Sequence, residues 1–310
     1  MEPAPLHAAL ADGPPGGFAR WLRAADGPRL RVAVWPEGRR GTVLLFPGRT
    51  EYAEKYGRAA GDLAARGYAT IAVDWRGQGL SDRPLADRNL GHVARFGDFQ
   101  RDVAAVLEAA RVLALPEPFY LISHSMGGAI ALRALTEGLP VRAAVFSAPM
   151  WGLMLKPATR VLAGVVTVLA RGLGLAGRYA PSTGPVTYVA SAPFADNVLT
   201  SDEGMWDYMK AQILGEPGLA LGGPSLNWLH EAMAECRALA ALPSPAVPVV
   251  TYLGSNERVV DPAPVIARME RWPGGRLEMV PGAEHEVMME TPAIRARFFD
   301  GASALFEAHR

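Results

Sequence analysis

The segment 119–135, FYLISHSMGGAIALRAL, constrains the fold of this chain more than any other. An apolar, β-prone start runs directly into a helix-forming stretch, and Ser125 stands at the change of direction between small residues. A serine at such a sharp turn is a nucleophile elbow, whose strained backbone lifts the hydroxyl above the sheet edge. Gly127 and Gly128 leave room for the helix beside the neighbouring strand. We predict that Ser125 is the catalytic nucleophile, with Ser123 replacing the usual first glycine.

His285 is the histidine that the sequence places correctly for a general base. In chains with this elbow the order is serine, then an acid, then histidine. His285 lies in the loop PGAEHE (281–286) after a predicted strand, where the imidazole can take the serine proton and return it to the leaving group. The other five histidines fit poorly. His124 neighbours the nucleophile, but we expect it to point to the opposite face of its strand.

The acid of the triad is sought in GSNERVVD (254–261), which follows the buried strand-like segment PVVTYL. A carboxylate there can accept the imidazole Nδ1–H, which fixes the tautomer and stabilises the imidazolium. Glu257 and Asp261 are both near enough in sequence. Asp261 precedes Pro262, a combination typical of a helix N-cap and first helical position. We therefore predict that Glu257 is the catalytic acid and that Asp261 caps the next helix.

Two backbone amides are predicted to form the oxyanion hole. The strand TVLLF (42–46) ends in Pro47 and Gly48, and the glycine lets the chain turn closely so that the Arg49 N–H faces the substrate carbonyl. The Met126 N–H, at the start of the elbow helix, is the second donor. Only these amides are implicated, and we expect the Arg49 side chain on the surface or at the pocket mouth.

Strands alternate with helices of 10 to 16 residues over most of the chain, which predicts a mostly parallel sheet covered by helices on both faces. Catalytic loops then gather at the carboxyl ends of the strands. The predicted strands are Leu30–Trp35, Thr42–Phe46, Ala69–Asp74, Phe119–Ser123, Ala143–Ser147, Val247–Leu253 and Arg276–Val280, and the predicted helices are Glu54–Arg66, Phe99–Ala114, Met126–Thr136, Pro262–Arg271 and Pro292–Ala308.

The alternation stops over residues 150–240, a stretch too long for a simple connection and too apolar for a linker. We predict a helical cap there, inserted in a core of residues 18–149 and 241–310, and a loose tail at residues 1–17. The apolar run VLAGVVTVLA (161–170) is shorter than the roughly 20 residues that span a bilayer. It fits a helix packed on its own domain, the lining of a pocket, or a surface that contacts lipid.

Charge and cysteine content exclude several functions. The 31 basic and 31 acidic side chains balance, so there is no electrostatic case for nucleic acid binding. The single cysteine, Cys236, rules out an internal disulfide and a cysteine metal cluster, and it favours a cytoplasmic location. We expect no cofactor and no metal ion.

The Pro-Gly loop, the Ser125 elbow, the GSNERVV loop and the GAEHE loop together resemble the monoacylglycerol lipase and lysophospholipase branch of the α/β-hydrolases, which is grouped with the serine aminopeptidases S33. DWRGQGLSD (74–82) and RTEYAEKY (49–56) are also similar to family motifs. The resemblance covers most of residues 18–308 and is greatest to lysophospholipase L2-like proteins. It implies an α/β-hydrolase fold, a lysophospholipid or monoacylglycerol substrate, and structural roles for Asp74 and Arg76.

The predicted activity is hydrolysis of carboxylic esters through an acyl-enzyme. An aminopeptidase of the same fold is one alternative, and it would need a cap acid such as Glu203 or Glu216 facing the substrate amine. A non-catalytic binding protein is another, although such proteins usually lack a triad member. Dehalogenases and epoxide hydrolases are excluded because their nucleophile is a carboxylate where this chain has Ser125.

Overall fold

A nine-stranded sheet runs through the residues that the computed structural model describes, which are 1–310 with the exception of the Pro157 side chain. Its central strands are continuous apolar runs because both faces of the sheet are covered. The strands are β1 (Glu2–Ala4), β2 (Phe18–Arg23), β3 (Arg29–Trp35), β4 (Thr42–Phe46), β5 (Ala69–Asp74), β6 (Phe119–His124), β7 (Ala144–Ser147), β8 (Val249–Gly254) and β9 (Arg276–Val280).

The strand order is β1-β2-β3-β5-β4-β6-β7-β8-β9. The pairs β1–β2, β2–β3 and β3–β5 are antiparallel. The other five pairs, β5–β4, β4–β6, β6–β7, β7–β8 and β8–β9, are parallel. The predicted, mostly parallel sheet is therefore confirmed, and each predicted strand is found within two residues of its expected bounds. Because the parallel strands end at one edge, the loops after β4, β6, β8 and β9 come together there.

Helices cover both faces of the sheet, and consecutive strand residues pack against opposite layers. In β4, Leu44 and Phe46 belong to the core on one face, whereas Val43 and Leu45 belong to the core on the other. The helices are α1 (Ala8–Ala11), α2 (Gly57–Ala64), α3 (Phe99–Val112), α4 (Met126–Thr136), α5 (Pro157–Gly172), α6 (Tyr188–Ser191), α7 (Glu203–Gly215), α8 (Leu226–Ala241), α9 (Pro262–Met269) and α10 (Pro292–Ala308).

Residues 1–17, expected to form a loose tail, are instead packed on the domain. β1 pairs antiparallel with the edge of β2, with Glu2 opposite Trp21. In α1, Ala11 is buried, and its carbonyl accepts a hydrogen bond of 2.6 Å from the Tyr208 hydroxyl. A Cβ on Gly57 would lie 1.9 Å from the same oxygen. Tyr208 of α7 is 197 residues from Ala11, so the local sequence pattern of residues 1–17 does not indicate that they are ordered.

The segment between β7 and β8, predicted as a helical cap, contains α5, α6, α7 and α8. α5 packs on α8, and Ala170 joins Leu226 in a small apolar cluster of their own. α8 extends to Ala241, one residue beyond the predicted boundary. Among the described residues, every helix is too short or too polar to cross a membrane.

Two buried arginines brace the loops near the sheet edge. Arg31 lies between the carboxylates of Asp74 and Glu54, with Nε 2.8 Å from Asp74 Oδ2. Arg76 pairs with Asp26 and Asp102, each at 2.7 Å. Asp74 and Arg76 thus make the structural contacts that the family resemblance implies.

Candidate active site

Ser125 forms the turn between the last residue of β6 and the first residue of α4. Its backbone has φ +48° and ψ −118°, a conformation that side-chain-bearing residues rarely adopt. Three hydrogen bonds hold it: the Ser125 N–H donates to Ser147 O at 3.1 Å, and the Ser125 carbonyl accepts from Gly128 and Met150 at 2.8 Å each. The strained geometry of a nucleophile elbow is therefore present.

Two glycines after the elbow are required because α4 lies very close to the sheet. A Cβ on Gly127 would lie 2.1 Å from the Phe46 carbonyl oxygen, and one on Gly128 would lie 2.5 Å from Pro149 Cβ. Ser123, which replaces the usual first glycine, is fully buried in β6. The small residues predicted to make room for the helix therefore do so.

The structure brings His285 and Glu257 together from two loops. His285 Nδ1 lies 2.7 Å from Glu257 Oε2, and both side chains are buried. The other carboxylate oxygen accepts from the amides of Val259 and Val260 at 2.7 and 3.0 Å. Burial raises the pKa of Glu257, but His285 and these amides outweigh it, so the pKa lies below its usual value. The carboxylate can therefore orient the imidazole and balance its charge.

Asp261, the other acid in this loop, has a different role. Its Oδ1 accepts from the Ala263 amide at 3.1 Å and caps α9, and its Oδ2 lies 3.2 Å from Arg160 Nη2. The geometry thus separates the two carboxylates as the sequence predicted. Glu257 contacts the histidine, and Asp261 caps the helix.

The loop after β4 passes directly beside the nucleophile. A Cβ on Gly48 would lie 3.1 Å from Ser125 Cβ. Gln78 holds the loop, donating to the Gly48 carbonyl at 3.0 Å and accepting from the Thr50 amide at 3.2 Å. Neither the Arg49 amide nor the Met126 amide donates to another described residue. Two free N–H groups thus flank the serine, which is what the predicted oxyanion hole requires.

Ser125 and His285 line one cavity of about 320 Å³ beneath the cap. Most of its wall is apolar and comes from the cap helices and from the loops after β7 and β8. The apolar lining residues are Met150, Leu153, Tyr188, Val189, Val198, Leu199, Met209, Ile213, Pro224, Trp228, Val259 and Val260.

A buried ionic network that lines part of this cavity was missed by the sequence reasoning. Lys55 Nζ donates to Glu51 Oε1 at 2.7 Å and also to a carboxylate oxygen of Glu286. Glu51 accepts from the Gly48 amide and the Tyr56 hydroxyl as well. Lys55 therefore connects the loop after β4 with the residue that follows the catalytic histidine candidate. The sequence signals were the four-residue spacing of Glu51 and Lys55 and their place in the motif RTEYAEKY.

The charges of this network depend on one another. Burial raises the pKa of Glu51, but Lys55, His124 and the Tyr56 hydroxyl together outweigh it and bring that pKa to about 2. Burial lowers the pKa of Lys55, but the two carboxylates outweigh it and raise that pKa. For Glu286 burial dominates, and its pKa is raised. The Lys55 ammonium is therefore the cation on which both carboxylates depend.

His124 does not point away from the site as expected. Its ring lies 4.6 Å from the His285 ring, and its Nδ1 lies 3.1 Å from the Ser147 carbonyl oxygen. Burial, which outweighs the nearby Glu51 carboxylate, lowers the pKa of His124 to about 3, so the ring is neutral at neutral pH. His124 does lie on the face of β6 that the alternation of side chains predicts. The loop after β9, which carries His285, folds over that face and so brings the two rings together.

Glu51, His124 and Glu286 offer three ligand atoms within 4.8 Å of one another, as a metal site would. The Lys55 ammonium already bonds both carboxylates, and it takes the place of a metal cation.

Comparisons with known proteins show the family of this chain. A model of the family described as serine aminopeptidase, S33, matches residues 37–292. Lysophospholipase L2 of Escherichia coli (strain K12) is 32% identical over 284 residues, which cover 86% of this chain and 80% of that protein. The probable lysophospholipase L2 of Haemophilus influenzae is 28% identical, with coverage of 86% and 83%. These findings confirm the resemblance that the motifs indicated.

Solved structures show the same fold. A soluble variant of monoglyceride lipase from Saccharomyces cerevisiae has a TM-score of 0.71 at 21% identity, covering 94% of this chain and 97% of that one. A thermostable carboxyl esterase from Bacillus coagulans has a TM-score of 0.76 at 16% identity, covering 94% and 98%. The predicted α/β-hydrolase fold is thereby confirmed.

We expect Glu257→Gln to lower kcat by roughly 10³- to 10⁴-fold, because the amide cannot hold the imidazole in the required tautomer. Asp261→Asn, the matched change in the same loop, should leave kcat near wild type and cost at most about 1 kcal/mol of stability, as for a helix cap. Ester hydrolysis and urea denaturation measure the two effects. The reverse pattern would identify Asp261 as the catalytic acid.

We expect Lys55→Met to reduce the free energy of unfolding by about 3–5 kcal/mol, because two buried carboxylates lose their cation. Lys156→Met removes an exposed lysine and should change stability by less than about 0.5 kcal/mol. Urea denaturation of both variants provides the measurement. A loss below about 1 kcal/mol for Lys55→Met would show that the network is not held by this charge.

Proposed function

The chain belongs to the serine aminopeptidase S33 family and is a carboxylic ester hydrolase, and we propose that it cleaves monoacyl lipids, namely lysophospholipids or monoacylglycerols, with Ser125, His285 and Glu257 as its triad. The observation that carries this proposal is the 2.7 Å contact of His285 Nδ1 with Glu257, in a cavity that the strained Ser125 also lines. The curated relatives are named lysophospholipases, which supports the lipid substrate.

In the proposed acylation, the Ser125 hydroxyl attacks the ester carbonyl while His285 Nε2 accepts its proton. Glu257 stabilises the resulting imidazolium through Nδ1–H. The amides of Arg49 and Met126 donate to the oxyanion of the tetrahedral intermediate. His285 then protonates the leaving alcohol, and the acyl group stays on the serine.

In the proposed deacylation, water enters where the alcohol has left. His285 accepts a proton from this water, which attacks the acyl-enzyme carbonyl, and the same two amides hold the second oxyanion. Return of the proton to Ser125 releases the carboxylic acid. These two steps require only the side chains and amides described above, together with the water molecule.

The apolar wall of the cavity supports an acyl chain as the substrate's larger part. Each buried methylene stabilises binding by up to about 0.8 kcal/mol, less the entropy lost in ordering the chain. An aminopeptidase would need a carboxylate for the substrate amine. Neither Glu203 nor Glu216 is among the described residues that line the cavity, and the cavity acids Glu51 and Glu286 are committed to Lys55. We therefore favour the esterase.

Helix α5 presents an apolar face to solvent, and we propose that this face touches the lipid surface from which substrate is taken. Residues three and four apart on this helix share the exposed face. Val165 is 53% exposed and does not line the cavity, so the apolar run is not a pocket wall. The exposed residues are Val161, Leu162, Val165, Val168 and Leu169.

We expect Ser125→Ala to abolish ester hydrolysis, a loss of about 10⁶-fold in kcat, together with labelling by a fluorophosphonate. The loss follows because no other described hydroxyl occupies the elbow. Circular dichroism and the melting temperature should show a folded protein. Retention of most activity or of labelling in this variant would overturn the proposed triad.

We expect Val165→Asp to weaken binding to phosphatidylglycerol–phosphatidylcholine vesicles by about tenfold or more, since a valine contributes roughly 1.5–3 kcal/mol when buried. Val112→Asp is the matched control, because this valine is equally exposed at the end of α3, outside the cap. Vesicle co-sedimentation measures binding. Equal binding of the two variants would mean that α5 does not contact the lipid.

A further inference from the structure

Arg49 carries a second feature beside its backbone amide: a guanidinium that faces no carboxylate. The side chain is partly buried, and Arg49 and Trp228 line the same cavity as Ser125. The guanidinium carbon lies 5.3 Å from the Trp228 ring centre. Its one hydrogen bond to a described residue runs from Nη2 to the Gly222 carbonyl. The Nε atom is shielded from solvent and has no acceptor among the described residues.

The position of this guanidinium is built by its surroundings. A Cβ on Gly91 would lie 2.7 Å from Arg49 Nη2, so glycine there leaves space for the group. The Gly222 carbonyl and the face of Trp228 hold it from other sides. A cation over an aromatic face is attracted to the ring but keeps its N–H donors available.

Arg49 contacts no carboxylate among the described residues. The same is true of Arg83 and Arg268, but each of these donates to two or more acceptors and neither lines the cavity. Arg31 and Arg76 each contact two carboxylates. Burial lowers the pKa of Arg49 to about 10, which leaves the group charged at neutral pH but with part of its water shell removed. A desolvated cation without an anion is unfavourable. An anionic ligand in the cavity would remove this cost.

We propose that the Arg49 guanidinium binds the phosphodiester of a lysophospholipid head group and so selects this substrate over uncharged monoacylglycerols. The inference rests on the proposed ester hydrolysis. Arg49 follows Gly48, which passes beside Ser125, so the part of the substrate next to the ester lies near this residue. A guanidinium binds a phosphate through two parallel hydrogen bonds. Lys55, the other cation of the cavity, is engaged by Glu51 and Glu286.

The test compares two substrates with the same acyl chain, 1-hexanoyl-lysophosphatidylcholine and 1-hexanoylglycerol, both as monomers. Changes at the Arg49 amide affect both esters, so the ratio of their kcat/KM values isolates the side chain. Arg49→Met should lower this ratio, phosphodiester over glycerol, by about tenfold to 100-fold, as expected for charge-assisted hydrogen bonds. Arg178→Met removes an exposed cap arginine and should leave the ratio unchanged.

Binding of hexylphosphocholine, measured by calorimetry, tests the proposal without turnover. The wild-type protein should bind this phosphodiester at least about tenfold more tightly than Arg49→Met does, and Arg49→Lys should fall between them because it keeps the charge but loses the fork. If Arg49→Met does not fold, the affinity of Arg49→Lys is compared with that of the wild-type protein instead.

The outcomes separate the two proposals. Hydrolysis of both esters with an unchanged ratio, or equal binding of hexylphosphocholine by wild type and variants, overturns the role of Arg49 and leaves the esterase proposal standing. If wild type hydrolyses neither ester, the proposed function fails, and the binding measurement still decides whether Arg49 holds a phosphodiester.

Discussion

The ion pairs of Lys55 with Glu51 and Glu286 connect the two loops on which the site depends. Glu51 also accepts from the Gly48 amide, next to the Arg49 amide that we propose as an oxyanion donor, and Glu286 directly follows His285. Lys55 and Glu286 are 231 positions apart in sequence. Desolvating three charges is costly, and such a group gains its full attraction only in one geometry. The network therefore holds the loop after β4 close to the loop that carries His285.

The two cationic side chains of the cavity, Lys55 and Arg49, differ in their partners. This difference distinguishes a structural group from one that is available to bind a ligand. The Lys55 ammonium is already bonded to two carboxylates, so it is not free for an anionic ligand. Arg49 is held by a carbonyl and an aromatic ring but faces no anion. A mainly apolar cavity with one uncompensated cation suits an amphiphile that has a hydrocarbon chain and an anionic head group.

Local pattern was sufficient for much of the fold. The seven predicted strands and the bounds of α4 and α10 follow from continuous apolar runs, helical periodicity and a proline at the start of α10, all of which act over a few residues. The edge strand β1 and its neighbour β2 were missed because their order comes from pairing. The position of His124 against His285 was missed because a loop 160 residues later covers that face of β6.

The sequence by itself determined the elbow at Ser125, the loops that carry Glu257 and His285, and the capping role of Asp261, because turn chemistry and chain order are local properties. Only the tertiary structure decided that Glu257 contacts His285, that Lys55 joins two distant loops, and that Arg49 stands without a carboxylate. Burial and charge compensation depend on residues brought together across the whole chain, and no local pattern contains them.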